Sequence, residues 1–324
     1  MVECMTREQA ELRWSKRASP VWLFLAACGG TVGPTEAPAA TGGAILGDAG
    51  PPGAPSEPAE PSGSWWEVKT PCAEGTTLQG KPPPEGMEVF CARPDGTKHG
   101  PYTSWFPNGQ KQKERSYHDG KEQGRFTVYF ENGKIAEEGR YGAGQLDGRH
   151  VSYWPSGQKK TEGDYRNGKK HARWVGFDEA GQKFQEADFR VGKPQGIVRS
   201  FFPSGQLKDE TDFKSGIKNG TFRAYYPNGK LKEQGMYSRG EKHGVWKTFR
   251  ESGKQLEHTE YEAGKMQGTF RRWFENGAHE IEGEYKDDKK SGTWKFYEPE
   301  EGKLIRTEEL SNGVVVKRKV HKAK

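Results

Sequence analysis

A glycine returns every 24 residues along most of this chain, and a period of that length leaves few folds open. The series runs Gly100, Gly124, Gly148, Gly196, Gly220, Gly244, Gly268 and Gly292, with Ala172 in its single gap. Counted from that residue, the tenth position of each unit is Gly109, Gly133, Gly157, Gly181, Gly205, Gly229, Gly253 and Gly277, and Gly302 continues it after one inserted residue. The sixth position is aromatic in all nine units: Trp105, Tyr129, Tyr153, Phe177, Phe201, Tyr225, Phe249, Trp273 and Tyr297. The eighteenth is aromatic in eight, from Tyr117, Tyr141 and Tyr165 to Tyr261 and Tyr285, and Leu310 takes that place in the ninth. Units this short cannot bury a core alone, so neighbours must stack.

Each unit reads as a β-hairpin. Thr221 to Tyr226 forms a first strand, Pro227-Asn228-Gly229 a turn, and Lys230 to Tyr237 a second strand. Asn-Gly signals a hairpin because glycine accepts positive φ without steric cost. Arg239 to His243 then reads as the turn into the next unit. Glycine or proline interrupts every eight to twelve residues, which leaves no room for helices. In the second strand, position twelve is sometimes apolar (Ile135, Leu207, Leu231), sixteen is often small (Gly139, Gly163, Ala187, Gly235, Gly283) and eighteen is aromatic. At period two these three share a face, and the small residue leaves room for rings. Positions three and six are both usually aromatic but have opposite parity. Either the first strand bulges or both faces of the sheet carry rings.

The expected fold is all-β: an elongated, twisted, single-layer antiparallel β-meander of nine hairpin repeats over residues 100–316. Eighteen strands at about 4.8 Å each would extend roughly 85 Å, and an open sheet of that length is expected to twist. Composition agrees. Apolar residues are 31% and mean hydropathy is −1.02, too polar for a thick aliphatic core, while aromatics reach 12% and there are 44 glycines. Net charge is +6, with both signs mixed along the chain and no long basic run. That describes a solvated surface, or at most one attracted to anionic lipid. Nucleic acid is not an expected partner.

The N-terminus reads as an address. Arg13, Lys16 and Arg17 precede a short apolar run, Val21 to Ala27, which is too brief to span a bilayer. It suits the apolar region of a signal peptide. The run ends Leu25-Ala26-Ala27-Cys28, which resembles a bacterial lipobox, with residues 1–28 as signal peptide and Cys28 as the lipidated residue. Residues 29–64, rich in Pro, Ala and Gly, read as a disordered tether. Residues 65–99 form a cap, in which Cys72 and Cys91 are expected to pair as a disulfide in an extracytoplasmic compartment. Residues 317–324 read as a basic tail.

The repeat resembles the MORN superfamily, in particular its bacterial variant. The resemblance lies in Tyr225-Tyr226-Pro227-Asn228-Gly229-Lys230 and in Tyr165-Arg166-Asn167-Gly168-Lys169, and it covers about Gly100 to Val316. It implies a β-sheet scaffold. Some bacterial members are annotated antitoxins, and lipid binding by the wider family is debated.

Chemistry-bearing motifs are not found. The chain has no Gly-x-Ser-x-Gly elbow, His-Glu-x-x-His pair, phosphate loop or EF-hand loop. His99, His171 and His243 recur at the end of units three apart, roughly 29 Å by strand spacing, too far to share an ion. Glu114, Glu138, Glu162, Glu186, Glu210 and Glu282 recur at position fifteen and read as a charge ladder against neighbouring Lys and Arg. No metal or cofactor and no enzymatic activity are expected. The expectation is a lipid-anchored interaction scaffold in the bacterial cell envelope, at the outer membrane or the periplasmic face of a membrane. Its partners would be the membrane through the anchor and one or more proteins, with cell-wall glycan or an anionic lipid surface as a further candidate. The alternatives are an antitoxin-like role and a glycan- or peptidoglycan-binding module that uses the nine position-six rings.

Overall fold

The computed structural model describes residues 64–321. They form one open antiparallel sheet of 24 strands, in which each long strand pairs with the long strands before and after it in the chain. The nine hairpins supply eighteen, from β3 (Lys98–Trp105) and β4 (Lys111–His118) to β22 (Lys289–Tyr297) and β23 (Leu304–Ser311). Three short strands, β5 (Lys121–Glu122), β8 (Gln145–Leu146) and β13 (Lys193–Pro194), lie ahead of breaks at Gln123, Asp147 and Gln195. β1 (Thr77–Lys81) and β2 (Glu88–Ala92) extend the sheet on the N-terminal side, so much of the cap is sheet. On the other side, residues 317–320 are not a tail. They complete β24 (Val314–Val320), which pairs with β23, and Arg318 Nε donates to Glu308 Oε1 at 2.7 Å.

The two ends of a hairpin close differently. Beyond β16 (Ile217–Tyr225), Gly229 N donates to Tyr226 O and Tyr226 N donates to Lys230 O, at 2.9 and 2.8 Å. Gly229 takes a φ of +79°, a conformation that side chains disfavour. The opposite turns are shorter than the five residues read from the sequence. Only Arg239 (φ +53°) and Gly240 (φ +92°) connect β17 (Leu231–Ser238) to β18 (Glu241–Phe249). Two consecutive positive φ values make a type I′ turn, whose twist matches that of the flanking strands. Glu241, Lys242 and His243 belong to β18.

Strand register settles the parity of the rings. Across β16 and β17, Phe222 faces Gly235, Arg223 faces Gln234 and Ala224 faces Glu233, but Tyr225 then faces Leu231. Residues directly opposed share a face. Phe222 and Tyr225 therefore point to opposite sides, and both faces carry rings. The skipped residue is a β-bulge, which turns Leu231 to the Tyr225 side. Position twelve thus does not share the face of positions sixteen and eighteen, contrary to the period-two reading. The same shift recurs in other units, as at Phe126 to Tyr129 and Phe270 to Trp273.

The ring face of positions three, sixteen and eighteen is the core. Trp174, Trp246 and Trp294 are buried although the described residues form a single layer. Their cover comes from within the row. The Trp246 indole lies on Gly235, donates its N–H to Met236 O at 3.1 Å, and has the Lys242 ammonium 3.8 Å from its ring centroid. Phe222 stacks on it at 5.4 Å and Tyr237 meets it edge-on at 5.1 Å. Trp174 repeats this with Gly163, Asp164 O and Lys170, and Trp294 with Gly283, Glu284 O and Lys290. Burial pushes the ammonium groups of Lys170 and Lys290 below the ordinary lysine range.

Neighbouring units are also clipped together, in several cases along both edges. At one edge, Asn228 Nδ2 donates to Glu251 O (3.1 Å) and Lys230 Nζ to Ser252 O (2.8 Å). At the other, Gly240 N donates to Lys218 O (2.8 Å), and the Asn219 side chain accepts from Arg239 N (3.3 Å).

Candidate functional site

The face opposite the buried tryptophans carries the repeated charges. Register alone defines a cross-strand row on it. From β12 (Lys183–Arg190) to β22, the row reads Glu186, Arg199, Glu210, Arg223, Gln234, Lys247, His258, Arg271, Glu282 and Lys295, each facing the next. Toward the N-terminus the glutamates alternate with uncharged residues: Glu114 faces Thr127, Glu138 faces Val151 and Glu162 faces Val175.

The row binds its own charges. Glu186 Oε2 accepts from Arg173 and Lys183 at 2.5 and 2.8 Å, and Arg199 approaches Oε1 at 3.5 Å. Burial pushes this carboxyl up, but its hydrogen bonds from Lys183 and Arg173 outweigh that and hold it below the usual range. Glu162 is lowered first by its hydrogen bond from Lys159, and Glu282 first by that from Lys295. Glu210 sits between Arg199 (3.4 Å) and Arg223 (3.2 Å). The acids at position fifteen therefore serve the sheet as charge partners.

The nine rings at position six lie on this face. Trp105 is covered by Trp66, edge-on at 5.1 Å, and only 8% of it is exposed. The other eight are half-buried. Several turn their hydroxyls to the acid row: Tyr129 donates to Glu114, Tyr153 to Glu138 (2.6 Å) and Tyr297 to Glu282 (2.7 Å). Burial, then these bonds to an anion, push Tyr153 and Tyr297 up to about 12. From Tyr153 to Tyr297, no two consecutive rings of the row are in ring contact among the described residues. Phe201 meets the Lys183 ammonium at 4.2 Å, and Trp273 and Tyr297 both meet the ring of His279.

Cys72 and Cys91 are disulfide-bonded, with Cα atoms 5.6 Å apart. The bond ties the segment after the Trp65–Glu67 3₁₀ turn to β2, while the Trp65 indole donates to Thr103 Oγ1 at 3.0 Å. Cys28, read as the lipidated residue, and residues 1–28 lie outside the described residues, as does nearly all of the 29–64 tether.

His99 has two neighbours that the spacing of histidines does not reveal. His99 meets His118 and Asp119 of the next unit, with ligand atoms all within 4.8 Å, whereas no contact joins it to His171 or His243. Asp119 Oδ1 lies 3.0 Å from His99 Nδ1 and is also paired with the Arg93 guanidinium. A cation entering here would have to displace Arg93. The sequence also carries the spacing Gly-x₆-Lys-x₃-Trp. It occurs at Gly163, Gly235 and Gly283, and it names Trp174, Trp246 and Trp294, the tryptophans buried on the core face, from sequence alone.

Comparison with known proteins bears on the repeat. No curated protein matches the chain significantly. Of solved structures, the crystal structure of TcdB2-TccC3 aligns at 11% identity and a TM-score of 0.18, covering 73% of this chain and 17% of that one. TcdB2-TccC3-TEV aligns at 10% identity and a TM-score of 0.18, covering 72% and 14%. This chain thus spans less than a fifth of either. The MORN repeat variant matches six segments: residues 98–119, 122–142, 146–167, 194–215, 218–238 and 266–287. With the register and turns described above, those segments identify the chain as a MORN-variant repeat protein.

Proposed function

We propose that this protein is a non-enzymatic scaffold that displays its charged face to partners while lipid-anchored at Cys28 in a bacterial cell envelope. The observation that carries the scaffold reading is the cross-strand row, which holds one register from β12 to β22 and is supported by turn-to-turn bonds between neighbouring units. A surface held this way presents the same chemistry at fixed intervals and loses little freedom when a partner docks. Envelope residence is supported by the Leu25-Ala26-Ala27-Cys28 sequence and by the Cys72–Cys91 disulfide, since such bonds persist in oxidising compartments.

The test is a cross-linked affinity pull-down of the full-length protein from cell envelopes, beside its Cys28→Ser variant. A dominant protein partner, with membrane association lost in the variant, is the expected result. Unchanged membrane retention of Cys28→Ser would remove the anchor. Capture of a toxin, or retention of cell-wall glycan without protein, would replace the scaffold by an antitoxin-like or glycan-binding role.

A further inference from the structure

Between β12 and β22 the charge row lapses at one place. Glutamate holds position fifteen in the first five units and again at Glu282, but Gln234 and His258 stand there in two adjacent units. The cations that should face those acids remain. Arg223 pairs with Glu210 and Lys295 with Glu282, whereas Lys247 faces Gln234 and His258, and Arg271 faces His258. Neither Lys247 nor Arg271 makes an ion pair among the described residues, and Glu282, beside Arg271, is taken by Lys295 and Tyr297. The hydroxyl partner is gone as well: it comes from position six of the following unit, fifteen residues along, where Phe249 and Trp273 stand rather than tyrosine.

Position seventeen lapses with it. Asp212 and Glu260 cap backbone N–H groups there, on Thr221 and Thr269, but the residue between them in the series is Met236. The face of β17 is thus free of acid around Gln234 and Met236. A shallow hollow opens at this spot, lined by Arg223, Gln234, Met236, Val245 and Lys247. Met236 and Val245 are 54% and 43% exposed. Glu260 is the nearest remaining acid on β19 (Gln255–Glu262), and it is engaged by Thr269 N (3.2 Å) and lies 3.4 Å from His258 Nε2.

We infer that this hollow is a docking site for a carboxylate on an acidic protein segment. At Arg199, Arg223 and Lys295, which hold the same place as Lys247 in their units, a carboxylate faces the cation from position fifteen. Gln234 keeps the size of that side chain but turns an acceptor into a donor, so Lys247, Gln234 and the free guanidinium donors of Arg223 converge on a place for an external anion. Met236 and Val245 give the segment's aliphatic atoms a surface to cover. The inference deepens the scaffold reading, on which it rests, by naming the chemistry of one docking point.

The test measures binding of a fluorescently labelled, end-capped tetraglutamate peptide to the purified full-length protein by anisotropy at low salt. Saturable binding is expected. Lys247→Gln should weaken it about tenfold, the loss of one charge-assisted contact. Gln234→Glu should weaken it as much by restoring the internal partner, and its unchanged or higher melting temperature would show an intact fold. No saturable binding by the wild-type protein, or equal affinity in Gln234→Glu, would overturn the site. Displacement by inorganic phosphate at lower concentration than by free glutamate would overturn the carboxylate assignment. None of these failures touches the envelope pull-down, which tests the scaffold reading separately.

Discussion

Gly235 and Trp246 are in contact so close that a β-carbon on Gly235 would lie 2.2 Å from the indole. The ring cannot retreat, because its N–H is bonded to Met236 O and Lys242 covers its other side. Gly235→Ala should therefore destabilise the protein by about 1–3 kcal/mol, the cost of overpacking. Urea denaturation measures it. Trp246→Phe combined with Gly235→Ala should cost less than the sum of the two single changes, since the smaller ring makes room.

Tyr153 and Tyr297 should titrate late. Burial and a hydrogen bond to Glu138 or Glu282 raise both from the ordinary 10.0 to about 12. The folded state then holds a proton that the unfolded chain has lost. Their contribution to stability is complete below pH 10 and disappears as pH rises toward 12. Phenolate absorbance should show a late step that Tyr153→Phe reduces, and that variant should lose less stability across the same window than the wild type.

Asn228 serves two turns at once. Its Oδ1 accepts from Lys230 N at 2.9 Å, within its own turn, and its Nδ2 donates to Glu251 O in the next unit. Asn228→Ala should cost about 1 kcal/mol for each bond. Hydrogen exchange should accelerate at both turns, around residues 226–230 and 250–254, with distant units unaffected.

The cap should fail alone. Replacing Cys72 and Cys91 by serine removes a cross-link over a separation of 19 residues, which would cost about 3 kcal/mol in chain entropy. In a repeat array such a loss stays near its origin. Exchange protection should fall in β1 to β3 and persist in β16 to β22. Loss of protection throughout would show that the array depends on its cap.

The period, the hairpins and the single antiparallel sheet were legible in the sequence because each rests on local chemistry: Asn-Gly turns, aromatic spacing and glycine at fixed steps. The faces were harder to read. Position three and position six differ by an odd number, and only the paired register of Phe222 with Gly235 and Tyr225 with Leu231 shows a bulge between them. That bulge is invisible to parity counting, which puts Leu231 on the wrong side. The type I′ turns were read as too long because Lys242 and His243 look like turn residues, yet they are strand residues of β18, and Lys242 covers Trp246. The charged row needed two alignments at once, along the strand and across it, and its lapse at Gln234 shows only against the other units.

The turn-to-turn bonds at both edges join residues 20 to 23 apart and reach a single neighbour. Excising residues 124–147 would join Gln123 to Gly148 and re-create the same bonds one step along. The number of units is therefore a quantity that a gene can change by duplication or deletion without redesigning any junction. What a given unit offers a partner is adjusted separately, by single substitutions such as the one that distinguishes Gln234 from Glu210.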